Sequence, residues 1–243
     1  MTSPVNLWEQ ELRGVHSRLA PLFHSVGSQH RCLDYLRGLL SDVERKNGWQ
    51  LAEWLGEHSP DGIQYFLERA HWDAEAARDI LRDYVTDHLG DEQGILIIDE
   101  TGFIKKGTHS AGVQRQYSGT AGRIENSQIG VFLCYAGKGD HAFLDRALYL
   151  PEQWTEDRPR CTAAGIPDAV SFATKPQLAR HMLARALDAG VPCRWVTADA
   201  VYGHDRRLRC WLESRHQPFV LAIPKNEWLW WQGPHDIRAD VIA

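Results

Sequence analysis

Two aspartates, Asp99 and Asp199, form the residue pattern with the clearest chemical meaning in this 243-residue sequence. Residues 95–98 and 194–198 precede them and read as buried strands, because parallel strands covered on both faces are nearly continuous apolar runs. Since α/β sheets bind ligands at the carboxyl ends of their strands, we expect both carboxylates at one edge of a sheet. Carboxylate oxygens suit Mg²⁺, with Mn²⁺ as a substitute. The pair therefore predicts a metal site for phosphoryl transfer on nucleic acid.

Either aspartate by itself has a simpler explanation, because aspartate often caps the turn or helix that follows a strand. The two are 100 residues apart, so that only the fold can bring them together, and the strand order favours the metal site for the pair. Glu100 is expected to face away from Asp99, since side chains alternate along a strand. The sequence has no HExxH, GxSxG or GxxxxGK[ST] motif, which disfavours zinc proteases, serine hydrolases and P-loop nucleotide triphosphatases.

A basic segment follows the first aspartate. Residues 103–124 contain Lys105, Lys106, Arg115 and Arg123 and no acidic residue. Local basic stripes attract a phosphate backbone even when the total charge is negative, so these four residues are predicted to bind DNA. The alternative is a solvated hairpin with no partner.

The net charge of −5 is unevenly distributed. Residues 1–92 carry 16 acidic and 9 basic residues, a net of −7, and the remainder carries 16 and 18, a net of +2. Nucleic-acid binding is thus expected of the second part, whereas the acidic first part suits a protein partner better. No apolar run reaches the roughly 18–20 residues of a membrane helix, and the start lacks the pattern of a signal peptide. Five scattered cysteines without a CxxC pair favour a reducing compartment, so that a cytoplasmic, nucleoid-associated protein is expected.

The elements that must position the aspartates follow from periodicity. Residues 1–92 are predicted to be a helical region, with apolar residues at three- and four-residue spacing. Residues 93–243 read as several strands, then helix, strand, helix and strand. The early strands are close enough for antiparallel hairpins, and the later ones require crossover helices and are expected to be parallel. This order predicts an α/β fold: a mixed sheet of about five strands in a ribonuclease-H-like arrangement.

Ten tryptophans include a cluster at Trp228, Trp230 and Trp231. Such residues can stack on nucleic-acid bases, but a place in a core or an interface is the more common role of clustered aromatics. Both interpretations stay open at the level of sequence.

Three blocks resemble bacterial insertion-sequence transposases of the insertion-sequence 701 family, which is related to the insertion-sequence 4 superfamily. They are LIIDETGFIKKG at residues 96–107, QRQYSGTAG at 114–122 and TADAVYG at 197–203. The resemblance implies a ribonuclease-H-like core, a DDE triad, Mg²⁺ dependence and cut-and-paste transposition of DNA. By carry-over, Asp99 and Asp199 are the first two catalytic, metal-binding members of that triad. Double-stranded DNA at the ends of the insertion sequence is the expected partner, and a homo-oligomer is left open.

The third acid of the family is a glutamate within a Tyr-Arg-Glu-Lys pattern, and this sequence has no such pattern. Glu213 and Glu227 are the nearest downstream glutamates, and neither has the right neighbours. We therefore expect a C-terminally incomplete transposase whose cleavage and strand transfer are impaired. The alternatives are a non-catalytic DNA- or protein-binding remnant that interferes with the full enzyme, and a metal-dependent nuclease that takes its third acid from within the chain, for example Glu125.

Overall fold

The structure is a computed structural model and describes residues 4–230, 233 and 235–242. The chain forms two compact units that meet in sequence at Tyr84 and Val85. That 93–243 acts as a catalytic core, distinct in function from 1–92, stays a prediction.

The first unit is helical, as predicted. Two small apolar clusters hold it together, one around Phe23, Cys32 and Phe66 and the other around Leu51 and Ile63. Its helices, the last of which runs on into the second unit, are α1 Pro4–Leu19, α2 Val26–Leu40, α3 Gly48–Trp54, α4 Asp61–Arg69 and α5 Ala74–Leu89.

The second unit is built on a six-stranded mixed sheet. Its strands are β1 Ile95–Ile104, β2 Gln114–Ser118, β3 Arg123–Gly137, β4 Asp140–Tyr149, β5 Trp195–Ala198 and β6 Phe219–Leu221. β3 is antiparallel to β1, β2 and β4, while β1, β5 and β6 are parallel. The order β2-β3-β1-β5-β6, with β4 also paired to β3, confirms the predicted ribonuclease-H-like mixed sheet.

The first strand is longer than the sequence predicts. Its apolar run indicates a strand that ends at Asp99, but β1 continues to Ile104 and that prediction is wrong. The reason is the partner strand: β3 pairs with all ten residues of β1, whereas parallel pairing with β5 stops at Ile98. Asp99 thus lies within a strand and also at the edge where the parallel part of the sheet ends.

Six described helices follow β4, and three of them pack on one face of this sheet. Those that follow β4 are α6 Glu152–Glu156, α7 Arg158–Ala163, α8 Lys175–Asp188, α9 Ala200–Gly203, α10 Arg206–Ser214 and α11 Ala239–Ile242. Thr174 begins α8 with a reciprocal capping box to Gln177, and Pro176 stands in the first turn, where its missing N–H costs no hydrogen bond. Apolar residues of α8, α9 and α10 form one buried cluster with Leu96 and Ile98 of β1.

The other face carries side chains of the opposite parity, including Asp99. Three phenylalanines line up there, with ring centroids 6.4 Å apart for Phe103 and Phe132 and 5.3 Å apart for Phe132 and Phe143. Phe143 is 66% exposed, although it is apolar.

The tryptophan cluster falls on a small hairpin of β7 Trp228–Trp230 and β8 Asp236–Arg238. Trp228 and Trp230 are 62% and 77% exposed, so these two do not lie in a core, and an interface or stacking on bases stays open for them. A three-residue strand on a two-stranded sheet has no second layer in which to bury them. Trp231 lies outside the described residues. No described helix is long and apolar enough to cross a membrane.

Candidate active site

Pairing of β1 with β5 brings the two aspartates together. The last paired positions are Ile98 and Ala198, and each is followed directly by an aspartate, Asp99 or Asp199. Neighbouring strands lie about 4.8 Å apart, and paired positions of parallel strands point their side chains to the same face. Asp99 and Asp199 therefore both lie at the carboxyl edge of the parallel part of the sheet, each one residue past the last paired position of two neighbouring strands.

Each carboxylate is partly held by the backbone next to it. Oδ1 of Asp99 accepts a hydrogen bond of 2.7 Å from the N–H of Glu100, and Oδ1 of Asp199 accepts one of 2.9 Å from the N–H of Val201. The second bond makes Asp199 the N-cap of α9, which is the simpler role that the sequence leaves open. Both residues are exposed, and neither Oδ2 atom bonds to another described residue. An oxygen-only, solvent-facing donor pair of this kind fits Mg²⁺, which retains several waters.

The charges of both aspartates act on Tyr202. Burial raises the pKa of its hydroxyl, the hydrogen bond to Glu100 raises it further, and the negative charges of Glu100, Asp199 and Asp99 add to the effect. Burial likewise raises the pKa of the Cys134 thiol, and the charge of Asp99 contributes. Negative charge is therefore concentrated at this edge, as a cation site requires.

Glu100 faces the opposite side of the sheet from Asp99 and joins three elements. Its Oε2 accepts a hydrogen bond of 2.6 Å from the hydroxyl of Tyr202 in α9. Its Oε1 pairs with Nζ of Lys175 in α8, also at 2.6 Å. Each side chain is largely buried, so these contacts fix β1, α8 and α9 to one another behind the two aspartates.

No third acid joins the aspartates among the described residues, where no group of three His, Cys, Asp or Glu side chains can hold a metal. Glu125 is seven positions along β3 from the residue that pairs with Asp99, a distance of about 23 Å at the rise of a strand. It forms an ion pair of 2.8 Å with Arg123, so it does not supply the third acid of the nuclease alternative.

The downstream glutamates are also engaged or distant. Desolvation raises the pKa of the Glu227 carboxyl, but its hydrogen bonds to His204 and Arg209 and their charges outweigh this, and the pKa is lowered. Glu213 is exposed on α10. Neither forms a metal-binding group with the aspartate pair.

The four basic residues predicted to bind DNA lie just after β1 and on the β2–β3 hairpin. Lys105 and Lys106 follow β1, and Arg115 lies in β2 opposite Asn126, on the sheet face that carries Asp99. Their side chains form no hydrogen bond or ion pair with another described residue. Arg123 is on the opposite face and is paired with Glu125, which makes it the weakest of the four candidates.

Sequence reasoning missed the network of Glu100, Tyr202 and Lys175. The signals that could have found it are the placement of Tyr202 three residues after Asp199, one turn into a helix, and of Lys175 at a helix start. Reading a carboxylate, a hydroxyl and an ammonium as partners requires knowledge of which elements touch.

Comparisons with known proteins identify the family. A family model described as DDE superfamily endonuclease matches residues 19–240. The chain is 28% identical over 193 residues to the probable transposase for insertion sequence element IS701 of Microchaete diplosiphon, a match that covers 79% of this chain and 48% of that protein. The chain thus spans about half the length of this curated relative. With a family model matched over most of its length, the chain belongs to the DDE superfamily endonucleases and is related to insertion-sequence transposases.

Proposed function

We propose that this chain supplies two metal-binding carboxylates of a transposase that cuts and joins DNA at the ends of an insertion sequence. The observation that carries the proposal is that Asp99 and Asp199 each follow the last paired residue of two neighbouring parallel strands. The family match supplies the class of chemistry, since its members are DDE endonucleases and the similar protein is described as a probable transposase.

In this proposal Asp99 and Asp199 hold Mg²⁺, or Mn²⁺ in its place, through their open oxygens. A bound divalent ion activates the attacking oxygen and stabilises the leaving oxygen of an in-line displacement at phosphorus. The chain's part is to hold the two carboxylates in register, which β1 and β5 do, and to keep that register fixed through Glu100, Tyr202 and Lys175.

Lys105, Lys106 and Arg115 then attract the phosphate backbone, and Arg115 does so from the sheet face that carries Asp99. Their ammonium and guanidinium groups have no competing partner among the described residues. Arg123 takes part only if its pair with Glu125 opens. The expected consequences are duplex binding that weakens with salt and little dependence on sequence from these contacts alone. Self-association of the chain stays a prediction.

A specific observation also supports a second function. Two carboxylates without a third in the described residues make a weak metal site, so the chain by itself can act as a DNA-binding remnant that competes with the full enzyme. In that case the chain binds duplexes carrying the ends of the element but leaves them uncut.

The test compares Asp99→Asn with a matched control, Asp140→Asn. Oδ1 of Asp140 accepts a 2.8 Å bond from the following N–H, as Oδ1 of Asp99 does, but Asp140 lies at the β3–β4 turn. Binding of Mn²⁺ is measured by electron paramagnetic resonance, and cleavage of a duplex with the element ends by gel electrophoresis. We expect Asp99→Asn to weaken Mn²⁺ binding at least tenfold and Asp140→Asn to leave it unchanged.

The outcomes separate the two functions. Metal-dependent cleavage that Asp99→Asn abolishes supports catalysis by this chain. Duplex binding with no cleavage by the parent protein supports the remnant. Equal Mn²⁺ affinity of the parent and Asp99→Asn would show that the aspartates are not metal ligands, and the site assignment would be wrong.

A further inference from the structure

A basic groove lies between the starts of helices α8 and α10. The cavity has a volume of about 400 Å³, which is more than ten times the share of one water molecule, about 30 Å³. Thr174 and Asp205, the N-caps of the two helices, both line it. The groove therefore has room for a phosphodiester group and its hydration.

The charges that line this groove are mostly positive. Arg180 of α8 and Arg206 and Arg207 of α10 are among its lining residues. None of the three guanidinium groups forms a hydrogen bond or ion pair with another described residue. Asp205 is the one acidic lining residue, and its Oδ1 accepts the N–H of Leu208 at 2.7 Å, which commits it to capping α10.

His204 also lines the groove, and its Nδ1 bonds to Glu227. Three cations against one capped carboxylate leave the groove with an excess of positive charge, in a protein whose net charge is −5. This arrangement favours a negatively charged partner. Guanidinium groups donate paired hydrogen bonds to phosphate oxygens, so a phosphate group fits it well.

The groove is next to the aspartate pair. Asp199 caps the start of α9 and His204, which lines the groove, caps its end, so that the candidate metal ligand and the groove are five positions apart. At the rise of an α-helix this is about 7.5 Å, which matches the axial rise of about two nucleotides along one DNA strand. A strand whose phosphate lies at the aspartates therefore has a further phosphate within reach of the groove.

We propose that Arg180, Arg206 and Arg207 form a second contact site for the DNA phosphate backbone, across the sheet edge from the basic segment of residues 103–124. The inference rests on the proposed function, because it takes duplex DNA as the occupant. It assigns to the groove the task of holding the backbone on the Asp199 side, where none of the four basic residues predicted from the sequence lies.

The test measures the salt dependence of duplex binding by the full chain. Arg206→Gln/Arg207→Gln removes two exposed, unpaired charges at the groove. Lys138→Gln/Arg194→Gln removes the same charge at the opposite end of the sheet, at the β3–β4 turn and just before β5. Fluorescence anisotropy measures the Kd for the duplex at salt concentrations from about 0.05 to about 0.3 M. This range brackets 0.1 M, at which the Debye length is about 10 Å.

Each lost phosphate contact lowers the slope of log K against log salt by about 0.9. We expect the groove variant to lose about 1.8 of slope and, if affinity at 1 M salt is unchanged, to bind about 60-fold more weakly at 0.1 M. The loss is equal for element ends and for an unrelated duplex, because backbone contacts carry no sequence information. Arg180→Gln added to the pair lowers the slope by about a further 0.9.

The inference is overturned if the groove variant keeps the parent slope, or if the control variant loses as much. A loss confined to one DNA sequence also overturns it, since that would indicate base contacts. These results differ from failure of the proposed function, in which the parent protein binds no duplex or Asp99→Asn leaves Mn²⁺ binding unchanged. Circular dichroism melting of each variant checks that the fold is retained.

Discussion

Replacement of Tyr202 by phenylalanine tests the network behind the two aspartates. The Tyr202 ring is fully buried, and its hydroxyl donates a 2.6 Å hydrogen bond to Oε2 of Glu100. The side chain of Glu100 is only 16% exposed, so that water replaces the lost donor poorly. A hydrogen bond to a charged group contributes about 1.5–3 kcal/mol, and phenylalanine preserves the packing of the ring. We expect Tyr202→Phe to lower the free energy of unfolding by about 2 kcal/mol.

Urea unfolding followed by circular dichroism measures this change. For a chain of this size, 2 kcal/mol corresponds to a fall in melting temperature of about 4–8 °C. Tyr117→Phe is the matched control, because Tyr117 is 62% exposed and its hydroxyl bonds to no other described residue. We expect the control to change stability by less than about 0.5 kcal/mol. An equally small change in Tyr202→Phe would refute the reasoning.

The same residue predicts a dependence on alkaline pH. The pKa of Tyr202 is raised above its ordinary value of 10.0, first by burial and then by Glu100. Above pH 10 the unfolded chain loses this proton while the folded chain keeps it, so the stability of the folded state falls as pH rises, by up to about 1.4 kcal/mol per pH unit. The parent protein should lose stability between pH 10 and 11 more steeply than Tyr202→Phe. Parallel curves for the two proteins would contradict this assignment.

Three further substitutions test packing around the site, each by urea unfolding. Gly203→Ala should cost at least about 2 kcal/mol, because a Cβ there would lie 1.8 Å from the carbonyl oxygen of Ala222. Tyr135→Phe should cost about 1–3 kcal/mol, because it removes a hydroxyl that bonds, at 2.8 and 2.7 Å, to the segments that precede β1 and β5. Arg185→Ala should cost about 3 kcal/mol, because it leaves the buried carboxylate of Asp145 without its 2.8 Å partner. Gly107→Ala, Tyr117→Phe and Arg207→Ala are the respective controls, and losses no larger than theirs would contradict the three explanations.

Much of the secondary structure is predictable from local sequence. The capping pattern at Thr174 marks the start of α8, and the strand predicted at residues 194–198 coincides with β5. These features depend on side chains within a few residues of each other, so the spacing of residue types in the sequence is sufficient to predict them. The end of β1 was predicted wrongly, because the additional residues after Asp99 are held by β3, which lies 23 or more residues further along the chain.

The candidate site is likewise predictable only in part from the sequence. Residue type and position after an apolar run indicate Asp99 and Asp199 as candidates, and the basic segment indicates Lys105, Lys106 and Arg115. The residues that contact the site cannot be predicted in this way, because they are distant in the sequence. Tyr202, for example, is 102 positions from Glu100, to which its hydroxyl donates a hydrogen bond. The groove of Arg180, Arg206 and Arg207 likewise requires that the starts of two helices face each other.

The sequence by itself determined the element types, the two aspartate blocks and the family that they indicate. Only the tertiary structure decided that Asp99 and Asp199 share a sheet edge, that Glu125 lies far from it and that Glu100 points away to Tyr202 and Lys175. The physical reason is that helices and turns are specified by interactions between nearby residues. Strand register and burial instead depend on hydrogen bonds and contacts between segments that are distant in the chain, such as β1 and β5.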